Sequence, residues 1–239
     1  MKRTALLLLI FFITVLPCAQ SRLALAQTGR TNDAPIGYRM TRVRRTGILF
    51  PKLTAFRDRA VMNAVNRRID ELTGEFGCQG EGGRSAYYKV RSRVEYTARD
   101  IFSIYASSEY YCGGAYPTND NNVSLTFDMK TGKLINFEDL FRNYDADRQE
   151  IVKTIFADLL ARGERAARAG NNSEGDCAEV YQLDRLESST FAFNFSKAGL
   201  SVQPDWPHVI EACAERVTVP YSKLSRFAAP EGPLARVLR

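Results

Sequence analysis

Between Tyr88 and Met129 the chain keeps one period through three runs. Tyr88, Val90, Val94 and Tyr96 alternate with Lys89, Arg91, Arg93 and Glu95. Phe102, Ile104, Ala106 and Tyr110 repeat the alternation, and Val123, Leu125, Phe127 and Met129 repeat it again. A period of two puts successive side chains on opposite faces, so each run reads as a strand with one face buried. A tight turn near Asp100 joins the first two runs, and neighbouring strands joined by short turns pair antiparallel. Thr131-Gly132 turns the chain toward Leu134 and Ile135, where Asn136 is placed to cap the short helix FEDLF. Phe191, Phe193 and Phe195 show the period once more, Gly199-Leu200-Ser201-Val202 follows, and a last strand spans Arg216 to Val219.

Two segments carry the helical period instead. Phe56, Val61, Val65, Ile69 and Leu72 form an apolar line from Thr54 to Leu72, ended by Gly74 and Gly77. The second helix starts near Asp145 or Asp147, buries Ile151, Val152, Ile155, Phe156, Leu159 and Leu160, and frays after Gly163. The expected fold is α+β, an antiparallel sheet with two main amphipathic helices packed on one face.

The first residues point to export. Lys2 and Arg3 precede an apolar run, Ala5 to Leu16. That run is shorter than the ~20 residues that cross a bilayer. Ala24-Leu25-Ala26 offers a small-x-small cleavage pattern, so 1–26 reads as a signal peptide and 27–43 as a flexible leader. Residues 44–239 read as one extracytoplasmic domain, periplasmic or secreted. Leu16-Pro17 is a poor approach to Cys18 for a lipoprotein. Without Lys2, Arg3 and Arg22 the chain keeps 30 basic residues against 27 acidic ones, a formal charge of +3 in place of +6. Export and this mild charge argue against nucleic acid, and no membrane span is expected in the mature chain.

Export also decides the cysteines. Cys18 leaves with the signal, and Cys78, Cys112, Cys177 and Cys213 remain. An even number in an oxidising compartment reads as two disulfides. Zinc prefers close ligand pairs, which this spacing lacks, so no metal or cofactor is expected. An antiparallel hairpin turning near Asp100 sets residue 112 opposite roughly residue 88, and segment 79–84 carries Cys78 back to that end. This favours Cys78–Cys112 and Cys177–Cys213.

A catalytic set is not legible. His208 is the one histidine, and no nucleophile elbow accompanies it. Glu138-Asp139 reads as helix-end charge compensation. Gly113-Gly114 lacks the context of a phosphate-binding loop. The arginines at 39, 42, 44 and 45, and at 162, 165 and 168, read as solvated faces, with acidic glycan or lipid headgroups as an electrostatic alternative.

Four segments in order, GGAYP, SLTFDMKTGKLINFEDLF, FNFSKAGLSV and VTVPYSKL, resemble a bacterial extracytoplasmic domain of unknown function. That domain forms the extracellular half of the lysozyme-sensing anti-sigma-V factor, and a similar module precedes the catalytic domain of a peptidoglycan deacetylase. The earlier ILFPKLTAF and VNRRI resemble its companion N-terminal half, where a strand precedes a helix carrying an asparagine. The likeness covers about residues 44–226. The family's loop reads GGAHP, so its histidine is Tyr116 here and any role needing imidazole is lost. No transmembrane segment or sigma-binding region precedes the domain, which departs from an anti-sigma factor. The resemblance implies a binding or sensing module.

The loop after Tyr110 is the candidate binding surface. Tyr110 and Cys112 share one face and Tyr111 takes the other, Gly113 and Gly114 allow a sharp turn, and Tyr116, Asn119 and Asp120 follow. Tyrosine and asparagine on an anchored loop suit protein or glycan recognition. The expected function is a non-catalytic recognition module for a cell-wall enzyme or peptidoglycan. The alternative is a carboxylate-dependent hydrolase of envelope glycan or peptide, which needs only two Asp or Glu across a cleft. Lysozyme is a poor partner, since both proteins are positive.

Overall fold

In the computed structural model the described residues are 35–44, 46–74, 76–78, 86–113, 119–169 and 176–239. The signal segment 1–26 and the residues Gly114 and Tyr116 lie outside them, and of Asn119, Asp120 and His208 only the backbone is described. Strand β1 (Gly37–Arg42) pairs antiparallel with β2 (Leu49–Ala55), and α1 (Arg59–Gly74) follows. Four strands, β3 (Tyr87–Ala98), β4 (Ile101–Tyr111), β5 (Asn119–Asp128) and β6 (Lys133–Leu134), form an antiparallel sheet in that order. Helices α2 (Tyr144–Ile155), α3 (Ala157–Ala169) and α4 (Leu183–Ser188) precede a third antiparallel sheet of β7 (Thr190–Phe195), β8 (Leu200–Asp205) and β9 (Val217–Val219). Short helices α5 (Tyr221–Leu224) and α6 (Pro233–Leu238) close the chain. Among the described residues no helix is long and apolar enough to cross a membrane.

The class is α+β with antiparallel strands throughout, and the strands divide among three sheets. The period of each run identifies its buried face and is silent about which strands share a sheet. Phe102, Ile104, Leu125 and Phe127 turn one face of the central sheet toward Val61, Val65 and Ile69 of α1 and Phe50 and Leu53 of β2. The second helix sits in another core, where Ile151, Val152, Ile155, Phe156 and Leu159 meet Phe193, Phe195, Leu200 and Val202. The two main helices therefore cover different sheets.

Several boundaries differ from the sequence reading for local reasons. Strand β1 lies inside the stretch 27–43 read as a flexible leader, and its ladder with β2 orders a segment whose own residues are mostly exposed. Thr54 belongs to β2, and α1 starts later because Asp58 Oδ1 accepts hydrogen bonds from the amides of Ala60 (2.8 Å) and Val61 (3.1 Å), a side-chain cap. The second helix begins at Tyr144 after Asn143, breaks at Phe156, and continues as α3 straight through Gly163. Asn136 does not cap the turn Glu138–Leu140; its own amide donates to Asp139 Oδ2 at 3.1 Å. Arg99 and Asp100 both have positive φ, 56° and 55°, which gives the β3–β4 hairpin a two-residue turn matched to strand twist.

Candidate functional site

The β3–β4 ladder fixes the far end of the hairpin. A register shift between Val94 and Tyr96 sets Tyr87 opposite Tyr111 and Tyr88 opposite Tyr110. Cys78 and Cys112 then meet in a disulfide with 5.1 Å between Cα atoms, and Cys177 joins Cys213 at 5.2 Å. On the side facing α1, Phe76 stacks on Tyr88 and Tyr88 on Tyr110, with centroids 6.2 and 5.0 Å apart. Burial first, then the charges of Tyr88 and Glu211, pushes the Tyr110 phenol up. Tyr111 takes the opposite face with Tyr87, whose hydroxyl donates to Glu109 at 3.2 Å. Gly113, at φ 97°, turns the chain away. The backbones of Asn119 and Asp120 return in β5 opposite Tyr110 and Glu109. So Tyr111, Gly113, Asn119 and Asp120 come to one end of the central sheet.

That end opens onto a polar groove. Arg91, Ser107 and Asn122 stand in one row across β3, β4 and β5. The row and its neighbours Lys89 and Glu109 line a cavity of about 310 Å³. Asn122 also lines a second cavity of about 350 Å³, whose other wall is Thr190–Ala192, Gln203–Trp206, Glu211 and Ala214. One groove thus runs from a basic end to an acidic end, with Asn122 between them. Tyr105 holds that midpoint: its hydroxyl donates to Asn122 Oδ1 at 2.6 Å, and the guanidinium groups of Arg93 (4.5 Å) and Arg216 (4.4 Å) lie over its ring. Glu95 accepts from both arginines, at 2.8 Å from Arg93.

Beneath the groove, a buried polar clasp joins the central sheet to β7. Asn194, fully buried, donates to Ser103 Oγ (3.0 Å) and to the Ile104 carbonyl (2.8 Å), while its Oδ1 accepts from Ser124 (2.8 Å) and Arg216 (3.3 Å). Thr126 donates to the Phe193 carbonyl at 3.2 Å, so the 2.8 Å contact between Ser103 and Thr126 uses the Ser103 proton. Sequence reading missed this set because Ser, Thr and Asn carry no periodic signal. The groove was missed for a related reason: alternation places Arg91 off the buried face, and only register sets it beside Ser107 and Asn122.

The motifs that carry the resemblance hold architecture. In DMKTGK, Asp128 Oδ1 accepts from the Lys130 amide at 2.8 Å and from Arg236 at 3.1 Å, and a Cβ on Gly132 (φ 74°) would stand 3.3 Å from the Val61 carbonyl oxygen of α1. In FNFSKAGLSV and VTVPYSKL, the Tyr221 hydroxyl donates to the Ser196 carbonyl at 2.7 Å, and a Cβ on Gly199 would sit 2.1 Å from the Val219 carbonyl oxygen. In VNRRI, Asn66 accepts from the Leu53 amide (2.9 Å) and donates to its carbonyl (3.0 Å), tying α1 to β2. Among the described residues no group of His, Cys, Asp and Glu gathers as a metal site would require.

No protein-family model matches the chain, and no curated protein matches it. A DUF3298 family protein from Bacteroides fragilis NCTC 9343 superposes with a TM-score of 0.50 at 13% identity, over 82% of this chain and 92% of its own. The chain shares that fold. A DUF3298 family protein from Pseudomonas aeruginosa PAO1 gives 0.48 at 11% identity, over 82% of this chain and 95% of its own. These neighbours are members of a family whose function is uncharacterised.

Proposed function

We propose that the chain is a non-catalytic recognition module of the cell envelope, exported through its N-terminal signal, with peptidoglycan or a cell-wall enzyme as its partner. The observation that carries this reading is the groove across the open face of the central sheet. It presents charged and amide groups to solvent, while the polar groups beneath it pair with one another. The two disulfides are compatible with an oxidising, extracytoplasmic setting. The resemblance to the anti-sigma-V factor's extracellular domain and to the deacetylase module supports the same class of role, with Tyr116 in place of the histidine. The test is sedimentation of the mature, disulfide-bonded chain with purified sacculi, beside capture on immobilised cell-wall hydrolases. Retention by either is expected, and retention by neither removes the reading.

A second reading, a carboxylate-dependent hydrolase, has one observation in its favour: Asp205 and Glu211 line the same cavity. Acid and base in such enzymes face each other across a cleft. It requires soluble fragments to be released from sacculi by the native chain and not by Asp205→Asn or Glu211→Gln. Absence of release from the native chain ends it.

A further inference from the structure

The two ends of the groove differ in what they offer a ligand. At the basic end, Arg91 and the Ser107 hydroxyl have no hydrogen-bond or ionic partner among the described residues, and Asn122 spends only its Oδ1, on Tyr105. Its Nδ2 is left as a donor. Lys89 adds a charge there, shared with Glu109 at 3.6 Å. At the acidic end, Asp205 accepts only from the Thr190 hydroxyl, at 3.3 Å, among the described residues, and Glu211 stands in the same wall. Gln203 commits its amide nitrogen to the Ala214 carbonyl at 2.8 Å, which leaves its own carbonyl as an acceptor. The basic end therefore offers a guanidinium, a hydroxyl and an amide N–H beside the Lys89–Glu109 pair, and the other end offers the oxygens of Asp205 and Gln203.

We propose that this groove takes a short zwitterionic peptide, its carboxylate against Arg91 and Ser107, its backbone against Asn122 and its ammonium group against Asp205 and Gln203. Under the recognition reading, on which this rests, the peptide is a stem peptide cut from the glycan strand, which frees its amino terminus. Charge complementarity selects this occupant. An acidic glycan would meet Asp205 and Glu211, and a polyamine would meet Arg91 and Lys89. A single amino acid is too short. Arg91 and Asn122 lie two strand spacings apart, about 10 Å, and the acidic wall begins beyond Asn122. An extended peptide advances at most ~3.6 Å per residue, so a span of that size takes about three residues. Tyr105, held by two guanidinium groups and by its bond to Asn122, keeps the midpoint of the groove rigid, so little entropy is lost there on binding.

Isothermal titration of the mature, disulfide-bonded chain with a synthetic L-alanyl-γ-D-glutamyl-diaminopimelate tripeptide tests this, beside a carboxyl-amidated form and an N-acetylated form. Capping either kind of charge is expected to weaken binding about tenfold, the equivalent of one charge-assisted hydrogen bond. Arg91→Gln is expected to abolish the sensitivity to amidation, and Asp205→Asn the sensitivity to acetylation. Both side chains belong to exposed residues, so the thermal midpoint should stay unchanged. Equal binding of capped and uncapped peptides overturns the proposal, as does native affinity in both variants. Sacculus retention without tripeptide binding overturns the groove assignment alone. Failure of tripeptide, sacculi and hydrolases together overturns the recognition reading as well.

Discussion

Single residues hold this molecule together where two backbones approach. Gly199 has φ 150° and sits where a Cβ would lie 2.1 Å from the Val219 carbonyl oxygen, with backbone on both sides and no flexible side chain to yield. Gly199→Ala is expected to destabilise by about 3 kcal/mol or more, through strain and the displacement of β9. Urea unfolding checks it, and a loss below ~1 kcal/mol contradicts the close approach. Asn194 is the other such position. Asn194→Ala leaves the Ile104 carbonyl and the Ser124 hydroxyl short of a partner in a buried site. An unsatisfied buried polar group costs about 1–3 kcal/mol, so a loss of ~2–4 kcal/mol is expected in the same assay. Leu at this position should do no better, because the neighbours, rather than Asn194 itself, are left unpaired.

At the scale of elements, the β3–β4 hairpin with its disulfide delivers the groove. The alternation of Tyr88 to Tyr96 and Phe102 to Tyr110 made both strands legible, because one face of each meets α1 or β2 and the other meets water or β7. Turn and register together brought Cys78 to Cys112, although a turn centred between Arg99 and Asp100 and the one-residue shift after Val94 set residue 112 opposite 86 in place of 88. What stayed illegible is what period cannot encode. The division into three sheets depends on contacts far apart in sequence, and β1 becomes a strand only through β2. Asn122 and Asp205 are ordinary polar residues until the fold places them in one groove. Each disulfide closes a loop spanning 34 or 36 positions, worth about 3–4 kcal/mol by the loop-entropy argument. Cys78→Ser with Cys112→Ser should lower global stability by that order. It should also speed amide exchange at Tyr87, Tyr110 and Tyr111 while sparing Ile101 to Ile104, which pair with β3 and β5 next to the turn. Uniform acceleration along β4 would show that the bridge does not act as a local anchor.

The whole molecule should respond to pH through its tyrosines. Burial pushes the Tyr181 phenol up to about 12, and its hydrogen bond to Glu215, 2.8 Å, and the charge of that carboxylate add to the rise, against Arg162. Burial likewise raises Tyr221, against its hydrogen bond to the Ser196 backbone, and is the leading cause of the raised Tyr144 and Tyr110. In the unfolded chain each phenol titrates near ~10. A folded-state value above the unfolded one gives stability that is complete below about pH 10 and is lost as pH climbs through the folded value. Between the two, each such group steepens the fall by up to ~1.4 kcal/mol per pH unit. Glu215 works at the other limit. Burial favours its neutral form, but hydrogen bonds from Tyr181 and Arg162, the latter at 2.7 and 2.8 Å to the two oxygens, outweigh that and hold its carboxyl low. Its contribution is present above the unfolded value near ~4.3 and is lost as acid takes the pH through the folded one. Tyr181→Phe therefore touches both limits: the decline between pH 10 and 12 becomes shallower, and the acid loss becomes smaller and is complete at a higher pH, because Glu215 without this donor is held less far below its unfolded value. Urea unfolding across pH 3 to 12 measures both slopes. A native-like slope between pH 10 and 12 in Tyr181→Phe would mean that Tyr181 does not retain its proton in the folded state as its burial and its bond to Glu215 require.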